Sequence, residues 1–172
     1  AAVFAPQKGA SREQVVMLDK QLGLWSDLLR QNTGKDVTRL RHGGAAGGIT
    51  AAMYALLNAQ LVSGSEYCLT LSRFHDYLLQ AGVVITGEGK IDLQSFYGKI
   101  PGTIANFCQK QNIPVYAVVG LAEKQVLPRF DKVFTMSQYA RSVQDSIKNA
   151  PYYLKIIAQA IVDTLYLSAY SD

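Results

Sequence analysis

Cysteine, tryptophan and long apolar runs are scarce in this chain of 172 residues. Its two cysteines, Cys68 and Cys108, stand far apart in unrelated apolar segments. We therefore expect two buried thiols rather than a disulfide or a metal pair. No apolar run approaches the roughly 20 residues of a membrane helix, and no signal peptide is visible. These absences predict a cytoplasmic protein that has no membrane partner.

Charge is also sparse, since charged residues make up 17% of the chain, hydrophobic residues 49%, and the net charge is +4. This composition is typical of a folded globular protein. The basic residues are scattered, and the tightest group comprises only Lys35, Arg39 and Arg41. Nucleic-acid binding requires a basic patch or stripe, so we expect no nucleic-acid partner. A small anionic substrate fits scattered charge just as well.

Two common nucleotide-binding motifs are missing. The spacing from Gly89 to Gly98 and Lys99 is too wide for a P-loop, and Ile100 stands where a serine or threonine would bind the metal. A dinucleotide fingerprint is absent as well, because no G-x-G-x-x-G follows a predicted strand. Any phosphate site in this chain must therefore use another arrangement.

Apolar periodicity predicts an α/β fold. Short β-branched runs at Val83 and at 114–119 predict strands, with a helix at 103–110 between them and a third strand at 132–136. Strand, helix and strand at this spacing form a βαβ unit, which requires parallel pairing. A final amphipathic helix from Pro151 should cover the sheet.

Near the start of the chain, Ser11 and Gln14 form a capping-box pattern. Apolar residues at helical spacing follow, which predicts an amphipathic helix over 12–31 with Trp25 in the core.

The segment from Val83 to Lys99 is the strongest candidate for a functional site. We expect its strand to end at Gly87-Glu88-Gly89, because two glycines permit positive φ and close approach of a ligand. The carboxylates of Glu88 and Asp92 are too costly to bury in a core. Open α/β sheets bind ligands at the carboxyl ends of their strands. The alternative is a surface turn that carries charges.

A second candidate is the glycine-rich turn at 43–48, which leads into a predicted helix from Ile49. The free N–H groups at a helix start bind anions, although small residues there also serve close helix packing. His42, beside this turn, is either a base, a phosphate donor or a structural residue.

Together these segments, with Lys8 and Gly9, supply what phosphoryl transfer needs: backbone N–H groups, lysines, and carboxylates for Mg²⁺ and for a base. In this order they resemble the bacterial type I glycerate kinases, which phosphorylate glycerate with ATP. The motifs that carry the resemblance are Phe4-Ala5-Pro6-Gln7-Lys8-Gly9-Ala10, Gly44-Ala45-Ala46-Gly47-Gly48, and Val84-Ile85-Thr86-Gly87-Glu88-Gly89-Lys90-Ile91-Asp92 with Gln94, Ser95, Gly98, Lys99 and Pro101. The chain departs from the family pattern at Ala5, where glycine is usual, and at 41–43.

The resemblance implies a Rossmann-like parallel sheet flanked by helices, plus part of a second α/β domain. Residues 1–72 would belong to the second, inserted domain and residues 73–172 to the Rossmann-like domain, with the active site in the cleft between them. The family is about twice as long, so this chain would correspond to its C-terminal half. Turnover would then require the missing N-terminal half or a partner chain, and the isolated chain is expected to be inactive.

We expect ATP and Mg²⁺ as cofactors and glycerate as the substrate, with 2- or 3-phosphoglycerate as the product. Asp92 would orient or deprotonate the substrate hydroxyl, and Glu88 would bind Mg²⁺ or its water, with these two roles open to exchange. Lys8 and Lys99 would offset the charge of the glycerate carboxylate or the phosphate. The remaining predicted contacts to substrate or phosphate are Gly44, Gly47, Gly48, Gly87, Gly89, Gln94 and Ser95.

Two other functional classes remain open. The chain fits a small-anion-binding α/β module without chemistry, or an inactive truncated fragment whose exposed apolar surface makes it a homo-oligomer.

Overall fold

The computed structural model of this chain describes residues 1–169, apart from the side chains of Gln7, Ser168 and Ala169. The chain divides into two compact units, of which one is Ala1–Ser63 and the other begins at Gly64. The domain boundary that the sequence predicts at residue 72 stays a prediction. Within the described residues, no helix combines the length and the hydrophobicity needed to cross a membrane.

The first unit contains helices α1, Arg12–Thr33, and α2, Ile49–Leu57. The predicted capping box is confirmed, since the backbone N of Ser11 donates to Oε1 of Gln14 at 2.8 Å and the backbone N of Gln14 donates to Oγ of Ser11 at 3.3 Å. Trp25, expected in the core, is 39% exposed, so that prediction is wrong. The reason is the small size of the core of this unit, which consists of Leu29, Val37, Ala51 and Ala55.

The second unit carries a parallel sheet in the order β1, Val84–Ile91, β2, Val115–Ala122, and β3, Lys132–Thr135. The predicted βαβ unit is thereby confirmed. The helices of this unit are α3 (Gly64–Leu71), α4 (Phe74–Leu78), α5 (Ile100–Gln111), α6 (Val143–Lys148) and α7 (Ala150–Ala169).

Helices cover both faces of the sheet, as a parallel sheet requires. On one face, Ile91, Val115, Val119 and neighbouring strand residues pack with Ile104 and Ala105 of α5. On the other face, Tyr116 packs with Ile157 and Ile161 of α7, so the last helix covers the sheet as predicted. The core therefore fixes the position of β1 and α5, which carry the candidate site.

The two cysteines differ in exposure. Cys108 is buried as predicted, whereas Cys68 is exposed, so the expectation of a second buried thiol is wrong. Helix α3 buries Ser65 and Leu69, which lie one turn apart, and this leaves Cys68 on the exposed side.

Strand β1 is longer than the sequence predicts. It continues through Gly87-Glu88-Gly89 to Ile91, and neither glycine has a positive φ, so the predicted loop is wrong. Pairing with β2 decides the end of the strand, since Glu88 pairs with Val119 and Ile91 with Ala122.

We predict that Gly120→Ala lowers the free energy of unfolding by about 2 kcal/mol, as overpacking typically does. A Cβ at this position in β2 would stand 2.5 Å from the carbonyl O of Gly89 in β1, so the two strands must separate. Urea denaturation measures the change.

The matched control is Gly89→Ala on the partner strand, because a Cβ there meets no atom within 4 Å. We expect that control to cost well under half as much. Equal stability of the two variants would contradict the assigned strand register.

Candidate active site

Glu88 lies at the centre of the candidate site. Its Oε2 accepts a hydrogen bond from Oγ of Ser95 at 3.0 Å, and its Oε1 lies 3.3 Å from Nζ of Lys99. The side chain is 26% exposed, so one carboxylate is fixed by two partners and still reaches solvent. This arrangement follows from the longer β1, which carries Glu88 to the edge of the sheet beside the start of α5.

Asp92 follows β1 directly and caps the 3-10 helix Leu93–Phe96. Its Oδ1 accepts from the backbone N of Gln94 at 2.9 Å, and its own N donates to Oγ of Ser95 at 3.3 Å. Aspartate is a preferred residue at such a cap because its side chain satisfies a free N–H. With 19% of its side chain exposed, the carboxylate is accessible as well as held.

Lys90 and Glu123 complete the charged group, although the sequence predicts no role for either residue. Nζ of Lys90 lies 2.9 Å from Oε1 of Glu123 and 3.5 Å from Oδ2 of Asp92. The hydrogen bond that Lys90 donates to Glu123, followed by the charge of Glu123 and by the nearby Asp92, raises the pKa of Lys90. Glu123 comes directly after β2, so its place at the same sheet edge as Asp92 was available from the parallel pairing.

Ser95 is the wholly buried member of the group, with an exposed fraction of 0%. Its hydroxyl donates a hydrogen bond to Glu88 and accepts one from the backbone N of Asp92. The predicted hydrogen bond from Ser95 to a substrate does not fit this position, because the side chain has no surface that a substrate could touch.

A cleft of about 470 Å³ opens beside Glu88 and Lys99. Gly87, Gly98 and Pro101 also line it. Asp92 does not line the cleft, but its backbone N bonds to Ser95, whose hydroxyl bonds to Glu88 at the cleft. Gln94 is half-buried beside Asp92. Of the predicted residues in this unit, the structure thus brings together Gly87, Glu88, Asp92, Ser95 and Lys99.

A larger groove of about 890 Å³ lies on the α7 side of the sheet, and Glu88 is the one charged side chain among the residues that line it. Gly89 and apolar residues such as Ile147 and Leu154 form much of its wall. Glu88 thus lines both hollows, whereas Lys99 lines only the smaller cleft.

The other predicted residues lie in the first unit. Lys8 is exposed and ends the 3-10 helix Pro6–Lys8. The predicted glycine-rich turn before a helix is confirmed: Gly47 and Gly48 have φ of +74° and +97°, and Gly48 caps α2. Gly44, in the same turn, has an ordinary φ of −82°.

The hydroxyl of Thr50 donates to the carbonyl O of His42 at 2.8 Å and fixes the approach to the turn. His42 has a positive φ of +66°. Its carbonyl thus holds the turn in place, which favours a structural role for His42 over that of a base or a phosphate donor.

This chain is similar to known proteins along most of its length. The model of the glycerate kinase family matches residues 1–166. A glycerate kinase of Halalkalibacterium halodurans is 41% identical over 70% of this chain and 32% of its own length. A glycerate 2-kinase of Escherichia coli is 40% identical over 69% of this chain and 31% of its own length.

Among solved structures, a protein assigned as glycerate kinase 2 of Salmonella typhimurium LT2 superposes with a TM-score of 0.64 at 36% identity. The match covers 98% of this chain and 44% of that one. The matched part of this chain thus spans about a third of the length of the two kinases and less than half of the length of the solved structure.

Proposed function

The chain belongs to the glycerate kinase family, and on this premise we propose that it forms part of an ATP-dependent enzyme that phosphorylates D-glycerate. Because the chain spans less than half the length of the relatives compared above, the proposed activity is that of the whole protein. The Escherichia coli relative is named a glycerate 2-kinase, which favours 2-phosphoglycerate over 3-phosphoglycerate as the product.

The observation that carries this proposal is the pair Glu88 and Asp92 beside a cleft that Glu88 and Lys99 line. Oγ of Ser95 holds the two residues together, since it donates to the Glu88 carboxylate and accepts from the backbone N of Asp92. Catalysis of phosphoryl transfer consists mainly of positioning and of electrostatic stabilisation. It uses a carboxylate to accept the proton of the attacking hydroxyl, and cations to offset the phosphate charge. The described site contains each of these groups.

Asp92 is proposed as the group that orients or deprotonates the attacking hydroxyl of glycerate. Its Oδ1 is engaged by the N–H of Gln94, and its Oδ2 lies 3.5 Å from Nζ of Lys90. Two partners thus hold the carboxylate in one orientation, which is what a positioned base requires. The amide of Gln94, half-buried beside it, is proposed to hydrogen-bond the substrate.

Glu88 is proposed to bind Mg²⁺ or a water of its coordination shell. Magnesium is usually held by one or two carboxylates together with phosphate oxygens and waters. Within residues 1–169, no three His, Cys, Asp or Glu side chains form a cluster that could hold a metal, and a single carboxylate fits the magnesium pattern. When bound, the ion would offset the negative charge of the phosphates.

The lysines and glycines are proposed to bind the anionic groups. Lys99, which lines the cleft, and exposed Lys8 are proposed to offset the charge of the glycerate carboxylate or of the transferred phosphate. The N–H groups at the α2 start, at Gly44, Gly47 and Gly48, are proposed phosphate contacts because helix starts favour anions. Gly87 and Gly89 are exposed and have no side chain, so the backbone of β1 is proposed as a further phosphate contact at these two positions.

A coupled assay of ADP release tests the proposed function. With the whole protein, ATP and magnesium, we expect ADP release that depends on D-glycerate and is absent without it. Calorimetric binding of ATP or glycerate without any glycerate-dependent ADP release would instead support an anion-binding module.

A further inference from the structure

Ser95 links the carboxylate of Glu88 to the backbone of Asp92 through one hydroxyl group. Its Oγ donates to Oε2 of Glu88 at 3.0 Å and accepts from the backbone N of Asp92 at 3.3 Å. A hydroxyl has a single proton, and an ionised carboxylate can only accept, so the direction of both bonds is determined. The position of the Glu88 carboxylate is therefore tied to the first residue after β1.

The backbone of Ser95 is closely packed as well as its side chain. A Cβ at Gly102 in α5 would stand 2.3 Å from the carbonyl O of Ser95 and 2.7 Å from Cα of Phe96. The glycine thus lets α5 and the 3-10 helix Leu93–Phe96 approach each other closely. With its side chain wholly buried, Ser95 is fixed on both sides.

We propose that Ser95 is a positioning residue for phosphoryl transfer, an inference that rests on the proposed function. It orients the Glu88 carboxylate so that Oε2 is engaged and Oε1 remains available to Lys99 and to the cleft. A serine that served only to cap the 3-10 helix would need the N–H of Asp92 alone. The bond to Glu88 is the additional feature, and it places the charge rather than stabilising the helix.

Ser95→Ala tests this role, since it removes the hydroxyl at almost constant shape. We expect kcat to fall ten- to a hundredfold, as is typical when a group that orients a metal-binding residue is lost. The glycerate KM should change less than threefold because Ser95 does not touch the substrate. The matched control is Ser146→Ala, another buried serine whose hydroxyl donates to the backbone O of Val143 at 2.7 Å, and it should retain full kcat.

A double-mutant cycle separates positioning from general damage to the fold. If Ser95 acts through Glu88, adding Ser95→Ala to Glu88→Gln should reduce kcat no more than threefold further, because coupled residues are not additive. Full kcat in Ser95→Ala, or losses that multiply in the double variant, would overturn the inference in a protein whose wild type is active.

Amide hydrogen exchange supplies a readout that does not depend on activity. The N–H of Asp92 should exchange at least about tenfold faster in Ser95→Ala than in wild type or Ser146→Ala, because it loses its acceptor. Unchanged exchange at Asp92 would overturn the inference even if the protein shows no kinase activity. Absence of glycerate-dependent ADP release in the wild type, with faster exchange in the variant, would confirm the hydrogen bond but contradict the proposed function, and with it the positioning role that rests on it.

Discussion

Asp92→Asn lowers kcat at least about a hundredfold and leaves the fold intact, if Asp92 accepts the proton of the substrate hydroxyl. Asparagine caps a helix as well as aspartate does, so the bond from the N–H of Gln94 should survive. The variant removes the negative charge and the basic oxygen, and little else. Steady-state ADP release measures the loss, and thermal denaturation confirms the fold.

Asp131→Asn is the matched control for this change. Oδ2 of Asp131 also accepts a backbone N–H, that of Val115 at 2.8 Å, but at the amino end of β2. It should retain full kcat. An Asp92→Asn protein with undiminished turnover would remove Asp92 from the chemistry and leave it a structural cap.

Glu88→Gln is expected to lower kcat by a similar factor, about a hundredfold or more, because the amide is neutral and cannot replace a carboxylate toward magnesium. Lys99 would also lose its partner, which lies 3.3 Å away. The magnesium concentration required for half-maximal rate should rise at least about tenfold in this variant. Initial rates over a magnesium titration measure both effects.

Glu66→Gln, which changes an exposed carboxylate of α3, serves as its control and should behave as wild type. The magnesium titration also distinguishes the roles of the two acids. If Asp92→Asn rather than Glu88→Gln raises the magnesium requirement, the two roles are exchanged. A Glu88→Gln protein with a rate and magnesium response within threefold of wild type would contradict the proposed site.

The parts of the fold that the sequence predicts correctly depend on local patterns. The capping box at Ser11, the glycine turn before α2 and the parallel βαβ unit each follow from residues that are close together in the chain. The end of β1 was predicted wrongly, because Gly87 and Gly89 suggest a turn. What keeps them in the strand is β2, about thirty residues later in the chain.

The site shows the same limit. Glu88 and Asp92 stand out as charges after an apolar run, and in the structure the hydroxyl of Ser95 bonds both the Glu88 carboxylate and the backbone N of Asp92. A sequence does not show where a hydroxyl points, so Ser95 was interpreted as a substrate contact although it is wholly buried. Glu123 was missed because its partner, Lys90, belongs to the neighbouring strand.

The central claim is that this site transfers a phosphoryl group to glycerate rather than merely binding an anion. Phosphorus NMR of the whole protein with ATP, magnesium and D-glycerate tests it most directly, because it identifies the compound that receives the phosphate. We predict a phosphoglycerate signal that grows in proportion to ADP and is absent with Asp92→Asn. Formation of ADP with inorganic phosphate alone, or no change in the ATP signals, would contradict the account.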